Sequence, residues 1–381
     1  MKLIYCNHQS YNWGKKGSCL VSNFSSNNNN QLFSLNDHYA ELWISMHRKT
    51  PSYIDKNKTQ ILDIDLVKKK INNDVSVILT KLISVGKPLS IQIHPDKKNA
   101  VKLHKLYPIL YQDDNSKNEL IVALSSFKLL CGYNNLVNIK KNIEARPILK
   151  QLWNNDNYDT IDHLYNNLMS ISQLNGNVFI NKHIQYCETS DKLSIEDEFF
   201  MLITKYYNNH LSDVSVFLVY LMNCVKLEQH EGIYIESLTP HCYISGDGIE
   251  IMDSSDNVIR CGLTNKYINV NLFQQLMNKT YKPVDIIKPE PNTLINQYCQ
   301  TGICNFQLSK IELKTGDNIE YLIKNYGFII VLNGRCLLSN SVSSMEISYG
   351  NVILIISDCI MLKNLQSENN QSSIIFIAES V

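Results

Sequence analysis

The chain lacks any excess of charge of one sign: its 381 residues carry 36 Lys and Arg against 36 Asp and Glu. A net charge of zero gives no footing on a nucleic-acid backbone and no long-range attraction to an anionic membrane, although Lys97 and Lys98 leave room for a local basic patch. No apolar run approaches the ~20 residues of a membrane span. The opening Met-Lys-Leu-Ile-Tyr-Cys-Asn-His turns polar too soon for a signal-peptide core. Paired cysteine spacing is missing too. The 11 cysteines are an odd number without zinc-ribbon or thioredoxin-like intervals, and the closest pair, Cys299 and Cys304, has no second pair to complete a metal site. They are expected to be reduced thiols in a cytoplasmic protein, which makes Asn23-Phe24-Ser25 a chance glycosylation sequence. There is no glycine-rich phosphate loop, so a phosphate would have to be met by side chains.

What the chain does have is the run Ser90-Ile91-Gln92-Ile93-His94-Pro95-Asp96-Lys97. Successive side chains of a strand point to opposite faces, so Ser90, Gln92 and His94 share one face and Ile91 and Ile93 take the other. An amide oxygen and an imidazole on one face, backed by an apolar one, make half of a metal-binding set. Candidates for the other half lie downstream: Glu119 in Ser116-Lys117-Asn118-Glu119, and His241 in Thr239-Pro240-His241-Cys242-Tyr243. Two imidazoles, one carboxylate and one amide oxygen suit zinc. With a single anionic ligand the centre stays positive and can polarise a carbonyl. Spacing alone favours ordinary hydrogen-bonded core or surface positions for these residues over a metal site.

The surrounding motifs narrow the choice. Leu89-Ser90-Ile91-Gln92-Ile93-His94-Pro95-Asp96-Lys97 is followed by Tyr111, Asp113-Asp114-Asn115, Lys117, Glu119 and Leu130-Cys131-Gly132-Tyr133. Then come Thr239-Pro240-His241-Cys242-Tyr243-Ile244-Ser245-Gly246-Asp247, Glu250, Ser255-Asp256-Asn257-Val258-Ile259-Arg260 and Gly262-Leu263-Thr264-Asn265-Lys266-Tyr267. With Tyr11-Asn12-Trp13-Gly14-Lys15 and Ala40-Glu41-Leu42-Trp43 upstream, this series resembles the type I phosphomannose isomerases in family order, over residues 11 to 270. The resemblance implies a mainly β fold with a helical insertion: two cupin-type jelly-roll barrels plus an α-helical domain. It divides the chain into 1–133 and 213–285 for the catalytic barrel, 134–212 for the insertion and 286–381 for a C-terminal barrel that matches more weakly.

Periodicity supports strands, helices, then strands. Ile161, Leu164, Tyr165 and Leu168 recur at helical spacing. β-like alternation is expected from Val214 to Met222 and from Val225 to Ile235, and buried strands at Gly327–Gly334 and Gly350–Ile356. Ser25-Ser26-Asn27-Asn28-Asn29-Asn30 reads as a low-complexity surface loop.

The resemblance also implies the activity: interconversion of mannose 6-phosphate and fructose 6-phosphate through an enediol, supplying mannose for GDP-mannose and glycosylation. Carried over by position, Gln92, His94, Glu119 and His241 would hold one Zn2+, and Arg260 would stabilise negative charge. The base is harder to place. Glu250 returns toward the metal if Gly246-Asp247-Gly248 reverses the chain, and Lys117 and Asp256 are its rivals. Lys97, Ser90, Arg260 and Lys266 are candidates for the phosphate, and Trp13 and Tyr243 for the sugar face. His47 with Glu41 is a candidate for ring opening. The expected partner is a small sugar phosphate, with no nucleic acid and no membrane, acting on a monomer. The family usually writes His-Lys-Pro-Glu where this chain has Ser116-Lys117-Asn118-Glu119; loss of the proline would loosen the turn before Glu119. A catalytically silent sugar-phosphate sensor is therefore the alternative. A two-His, one-carboxylate iron oxygenase fits less well, because the four-residue set leaves fewer open positions.

Overall fold

The computed structural model describes residues 1–71, 75–153, 159–207, 212–298, 304–366 and 372–381. Its backbone is organised by two large antiparallel sheets, one of eleven strands and one of eight. The first is built around Ile78–Val85, every residue of which is buried. That strand pairs with Glu41–Ser45 on one side and with His241–Asp253 on the other.

His241–Asp253 is the strand that makes the site possible. Its first half pairs with Ile91–Ile93 and Phe127–Tyr133, its second half with Ile78–Val85 and Glu119–Ala123. The expected reversal at Gly246-Asp247-Gly248 does not occur. Gly246, at φ 132°, lets the strand cross close over Phe127, where a Cβ would lie 2.6 Å from the ring and 2.8 Å from the Phe127 Cα. Glu250 thus reaches the site along one continuous strand.

The helices Leu136–Glu144, Pro147–Leu152, Ile161–Met169, Gln173–Glu188 and Ile195–Tyr206 follow the first strands of the sheet. Ile161, Leu164, Tyr165 and Leu168 are buried, as their spacing requires, in a cluster that also takes in Ile91 and Ile93. The stretch Val214–Tyr220 is a 3₁₀ helix rather than a strand, and the strand begins only at Met222. All seven of its residues are buried, so its sequence carries no alternation that could separate helix from strand.

The second sheet holds Phe306–Leu313, Asn318–Asn333, Val352–Asn364 and Ser373–Ser380, which contain the two C-terminal runs expected as strands. The chain's own beginning, Lys2–Ile4, also joins it by pairing with Val352–Asn364. A shared core of Ile4, Phe24, Leu82, Tyr326, Phe328 and Val352 binds the sheets together.

The asparagine tract is not a loop. It completes the helix Leu20–Asn29, in which Asn28 accepts from Cys6 N at 2.8 Å and donates to Ile4 O and Gly350 O at 3.0 Å. Its amides satisfy buried backbone groups that an apolar residue would leave unpaired. Cysteine chemistry also departs from expectation: Cys304 is disulfide-bonded, while the other described cysteines are free thiols. The spacing rules look for metal-binding and catalytic pairs and do not see an isolated cross-link. Cys299 lies outside the described residues.

Candidate metal centre and cleft

Three strands bring the metal candidates together. Gln92 lies on Ile91–Ile93 between His241 on one neighbour and Arg260 on the other. Glu119 opens its own strand opposite Met252. Ile91 and Ile93 face the helical core, which leaves Gln92 and His94 facing the sheet interior.

The ring orientations are decided by backbone carbonyls. His94 Nδ1 lies 2.8 Å from Asn257 O and His241 Nδ1 2.9 Å from Thr239 O. A carbonyl only accepts, so both rings carry their proton on Nδ1 and present the Nε2 lone pair to the site. These two Nε2 atoms converge on one carboxylate, at 3.1 Å from Glu119 Oε1 and 3.4 Å from Oε2. Two lone pairs aimed at an anion repel it, and Glu119 Oε2 is buried without a hydrogen bond. A cation among them would satisfy all three, so the residues fit a metal ion. Gln92 completes the set: its amide nitrogen is 3.3 Å from His241 Nε2, and Ser90 Oγ donates to its oxygen at 3.0 Å. Exchanging the near-equivalent amide O and N would turn the oxygen toward the ligands.

The electrostatics agree. Burial, reinforced by Lys117, pushes His94 down to about 4, so its imidazole is neutral at physiological pH. Burial alone would raise the Glu119 carboxyl, but the Lys117 ammonium at 2.7 Å leads the opposing charges that hold it well below its ordinary value. Lys117 also lies 3.3 Å from His94 Nε2.

A second charged group sits deeper in the sheet. Trp43, Lys81 and Glu250 are direct neighbours across three strands. Lys81 Nζ lies 3.5 Å from Glu250 and 3.3 Å from Glu41, with its ammonium 4.9 Å from the Trp43 ring. Tyr243 OH donates to Glu250 at 2.9 Å, and Trp43 Nε1 donates to Glu41 at 2.8 Å. Burial, then the nearby Glu119 charge, raises the Glu250 carboxyl despite the opposing lysines.

Both groups open into one cleft of about 690 Å³. Trp13, Ser90, Gln92, Lys117, Glu119, Tyr243, Glu250, Asp256, Arg260 and Lys266 line it, so most of the residues singled out by sequence meet there, with His94 and His241 buried outside the lining. Among the described residues the Arg260 guanidinium has no hydrogen bond or ion pair, and burial lowers it from the ordinary value. Lys266 stands over the Tyr11 ring at 5.3 Å. Asp256 is already engaged, bound by Lys49 and 3.5 Å from His47 Nε2.

Lys97 does not reach the cleft. Asp96 accepts from Asn99 N and caps the helix Lys97–Leu106, so the chain leaves the strand at Pro95; the Lys97 side chain is exposed and pairs with Asp114 at 3.3 Å. Lys81, Lys49, Tyr206 and Tyr207 also line the cleft, and the sequence reading missed them. Lys81 had a signal, as the single charge in the apolar run Ile78–Val85. The tyrosines had none, since their place depends on how the helical insertion packs.

A family model described as the catalytic domain of type I phosphomannose isomerase matches residues 1–136. "Mannose-6-phosphate isomerase 1" of Arabidopsis thaliana is 29% identical over 94% of this chain and 90% of its own length. "Probable mannose-6-phosphate isomerase" of Dictyostelium discoideum is 30% identical over 89% of this chain and 84% of its own. In fold, the chain is similar to mannose 6-phosphate isomerase from Salmonella typhimurium solved with fructose 6-phosphate and zinc. The TM-score is 0.82 at 20% identity, covering 100% of this chain and 99% of that one.

Proposed function

The chain belongs to the type I phosphomannose isomerase family, and on that premise we propose how its own residues divide the work. It is a zinc-dependent aldose–ketose isomerase that interconverts mannose 6-phosphate and fructose 6-phosphate. Gln92, His94, Glu119 and His241 would hold the zinc. When bound there, the ion supplies a Lewis acid that stabilises negative charge on the sugar oxygens.

Glu250 is the base that moves the proton between C2 and C1. Burial and the Glu119 charge raise its carboxyl from the ordinary value, the direction that strengthens a base. Tyr243 and Lys81 fix one carboxylate oxygen each. Lys117 is committed to Glu119 and His94, and Asp256 to Lys49 and His47, which makes both poorer proton carriers than Glu250. Arg260 is a half-buried guanidinium with no acidic partner among the described residues, suited to a developing oxyanion or the phosphate. Lys266 in the same cleft adds a second cation for the phosphate. Residues 1–133 and 213–285 supply most of the catalytic sheet, 134–212 the insertion and 286–381 most of the second sheet; Lys2–Ile4 crosses over to the second sheet, and Ile286–Ile287 still pairs with Gly232–Ile233 in the first, past the expected boundary at 285. The same reading has the chain act as a cytoplasmic monomer.

The observation that carries the reading is the convergence of two Nε2 lone pairs on Glu119 in the cleft that holds Glu250 and Arg260. A silent sensor would need none of the strand-fixed geometry around Glu250. The test is a coupled assay of fructose 6-phosphate formation before chelation, after it, and after zinc is returned. Activity should vanish and come back. Arg260→Ala should then lower turnover roughly 10²–10³-fold. A folded, zinc-loaded protein without turnover would overturn the isomerase in favour of the sensor.

A further inference from the structure

The turn before Glu119 is where this chain departs from the wording of the proteins it resembles, and the structure shows what stands there instead. A proline fixes φ and donates no hydrogen bond, so it needs no partner to hold a turn. Asn118 has neither property, yet its polar atoms are committed. Its Oδ1 accepts from both Ser237 N and Ser237 Oγ at 3.0 Å. Its Nδ2 and backbone N–H donate to Asp253 Oδ2 at 3.2 and 3.5 Å, and its carbonyl accepts from Asp253 N at 3.4 Å. The other oxygen of Asp253 accepts from Asn305 Nδ2 at 3.1 Å.

These partners come from separate parts of the chain. Ser237 lies on the approach to His241, Asp253 ends the strand that carries both His241 and Glu250, and Asn305 precedes the strand Phe306–Leu313 of the second sheet. Glu119 follows Asn118 directly and sits opposite Met252 and Ile235, the neighbours of Asp253 and Glu236. A displacement at Asn118 therefore moves the carboxylate relative to both imidazoles.

We infer that Asn118, Asp253 and Asn305 form a hydrogen-bonded bracket that presents Glu119 to the metal, so that the second sheet contributes to metal affinity without touching the ion. Asn118 is a positioning residue: it acts through Glu119. The inference rests on the metal site described above. Hydrogen bonds from neighbouring groups that orient a ligand typically change metal affinity 10–100-fold when removed.

The experiment is zinc affinity of the full chain by competition with a chromophoric chelator, with the melting of the metal-free protein measured beside it. Asn118→Ala should weaken zinc about 10–100-fold. Asn305→Ala, an exposed position remote from the cleft, should weaken it a few-fold while metal-free melting stays unchanged, which keeps the inference testable if Asn118→Ala folds poorly. Wild-type zinc affinity in the Asn305 variant together with a well-folded Asn118 variant of unchanged affinity would overturn the bracket. Failure of the unaltered chain to bind zinc would instead overturn the metal reading on which it stands.

Discussion

Two buried clusters in this chain hold nearly the same kinds of residue, and only one is built to take a cation. His94, Glu119 and His241 place their ligand atoms within 4.8 Å of one another at the cleft, which Glu119 lines with both histidines buried behind it; His183, Cys187 and Asp197 do the same inside the helical insertion. In the second cluster the carboxylate is saturated. Asp197 accepts from Arg146 Nε and Nη2 at 2.7 and 2.9 Å, from Tyr220 OH at 2.9 Å and from Ser194 N at 3.1 Å. His183 Nε2 meets Tyr220 OH at 2.6 Å; because that hydroxyl gives its proton to Asp197, the ring must donate to it. Arg146 occupies both oxygens of Asp197, whereas Lys117 takes only one oxygen of Glu119 and leaves the other open. What distinguishes the metal centre is a carboxylate that faces two Nε2 atoms and has one oxygen, Glu119 Oε2, left without a donor; Asp197 has no such oxygen to spare, even though His183 Nδ1 is also unpartnered. The inventory of residue types does not separate the two.

The comparison breaks most visibly at Glu119. Glu119→Gln should remove stoichiometric zinc and lower kcat/KM by about 10³-fold or more, because the centre loses its only anionic ligand. The unaltered chain should carry one zinc by elemental analysis, and a second equivalent lost on changing His183 would refute the distinction. Next in size is Arg146→Met. It strands the buried Asp197 carboxylate and should cost about 3–5 kcal/mol in urea unfolding, while zinc affinity stays as it was. A fall in zinc affinity there would mean the insertion and the metal centre are coupled.

The same contrast explains what was legible in the sequence. Strand alternation places Gln92 and His94 together on one face, and the motif order finds Glu119 and His241. Which lone pairs are free depends on Asn257 O and Thr239 O, and no spacing rule reports on backbone carbonyls. Lys97 is a phosphate candidate by charge alone, and the Asp96 cap that starts a helix there turns it away from the cleft. Glu250 reaches the cleft, but by a strand that continues through Gly246 instead of turning there. The asparagine tract reads as a loop because composition does not reveal that Asn28 closes the backbone carbonyls of Ile4 and Gly350 at the second sheet. Lys81 escaped notice for the opposite reason: one lysine in an apolar strand reads as an interruption until Glu41 and Glu250 are seen on either side.

The smallest expected effect tests whether the closed cluster is merely structural. Burial lowers His183 from 6.5 to about 4, with Asp197 opposing and Arg146 assisting. Around it, burial and Asp197 raise Tyr220 and Cys187, the thiol to about 12, so neither exchanges protons in the same range. A proton therefore binds this histidine in the unfolded chain at a pH where the native ring stays neutral. Stability is complete above about 6.5 and declines as pH falls toward 4. Replacing His183 by Gln, which keeps an N–H for Tyr220, should lower zinc-loaded stability at pH 7 slightly and reduce its dependence on pH by up to about one proton in that window. Urea unfolding at pH 7 and pH 5 reads the difference. An unchanged slope would place the acid sensitivity elsewhere. Zinc content should be the same in both proteins, because Asp197, the carboxylate of this cluster, is already fully engaged by Arg146, Tyr220 and Ser194.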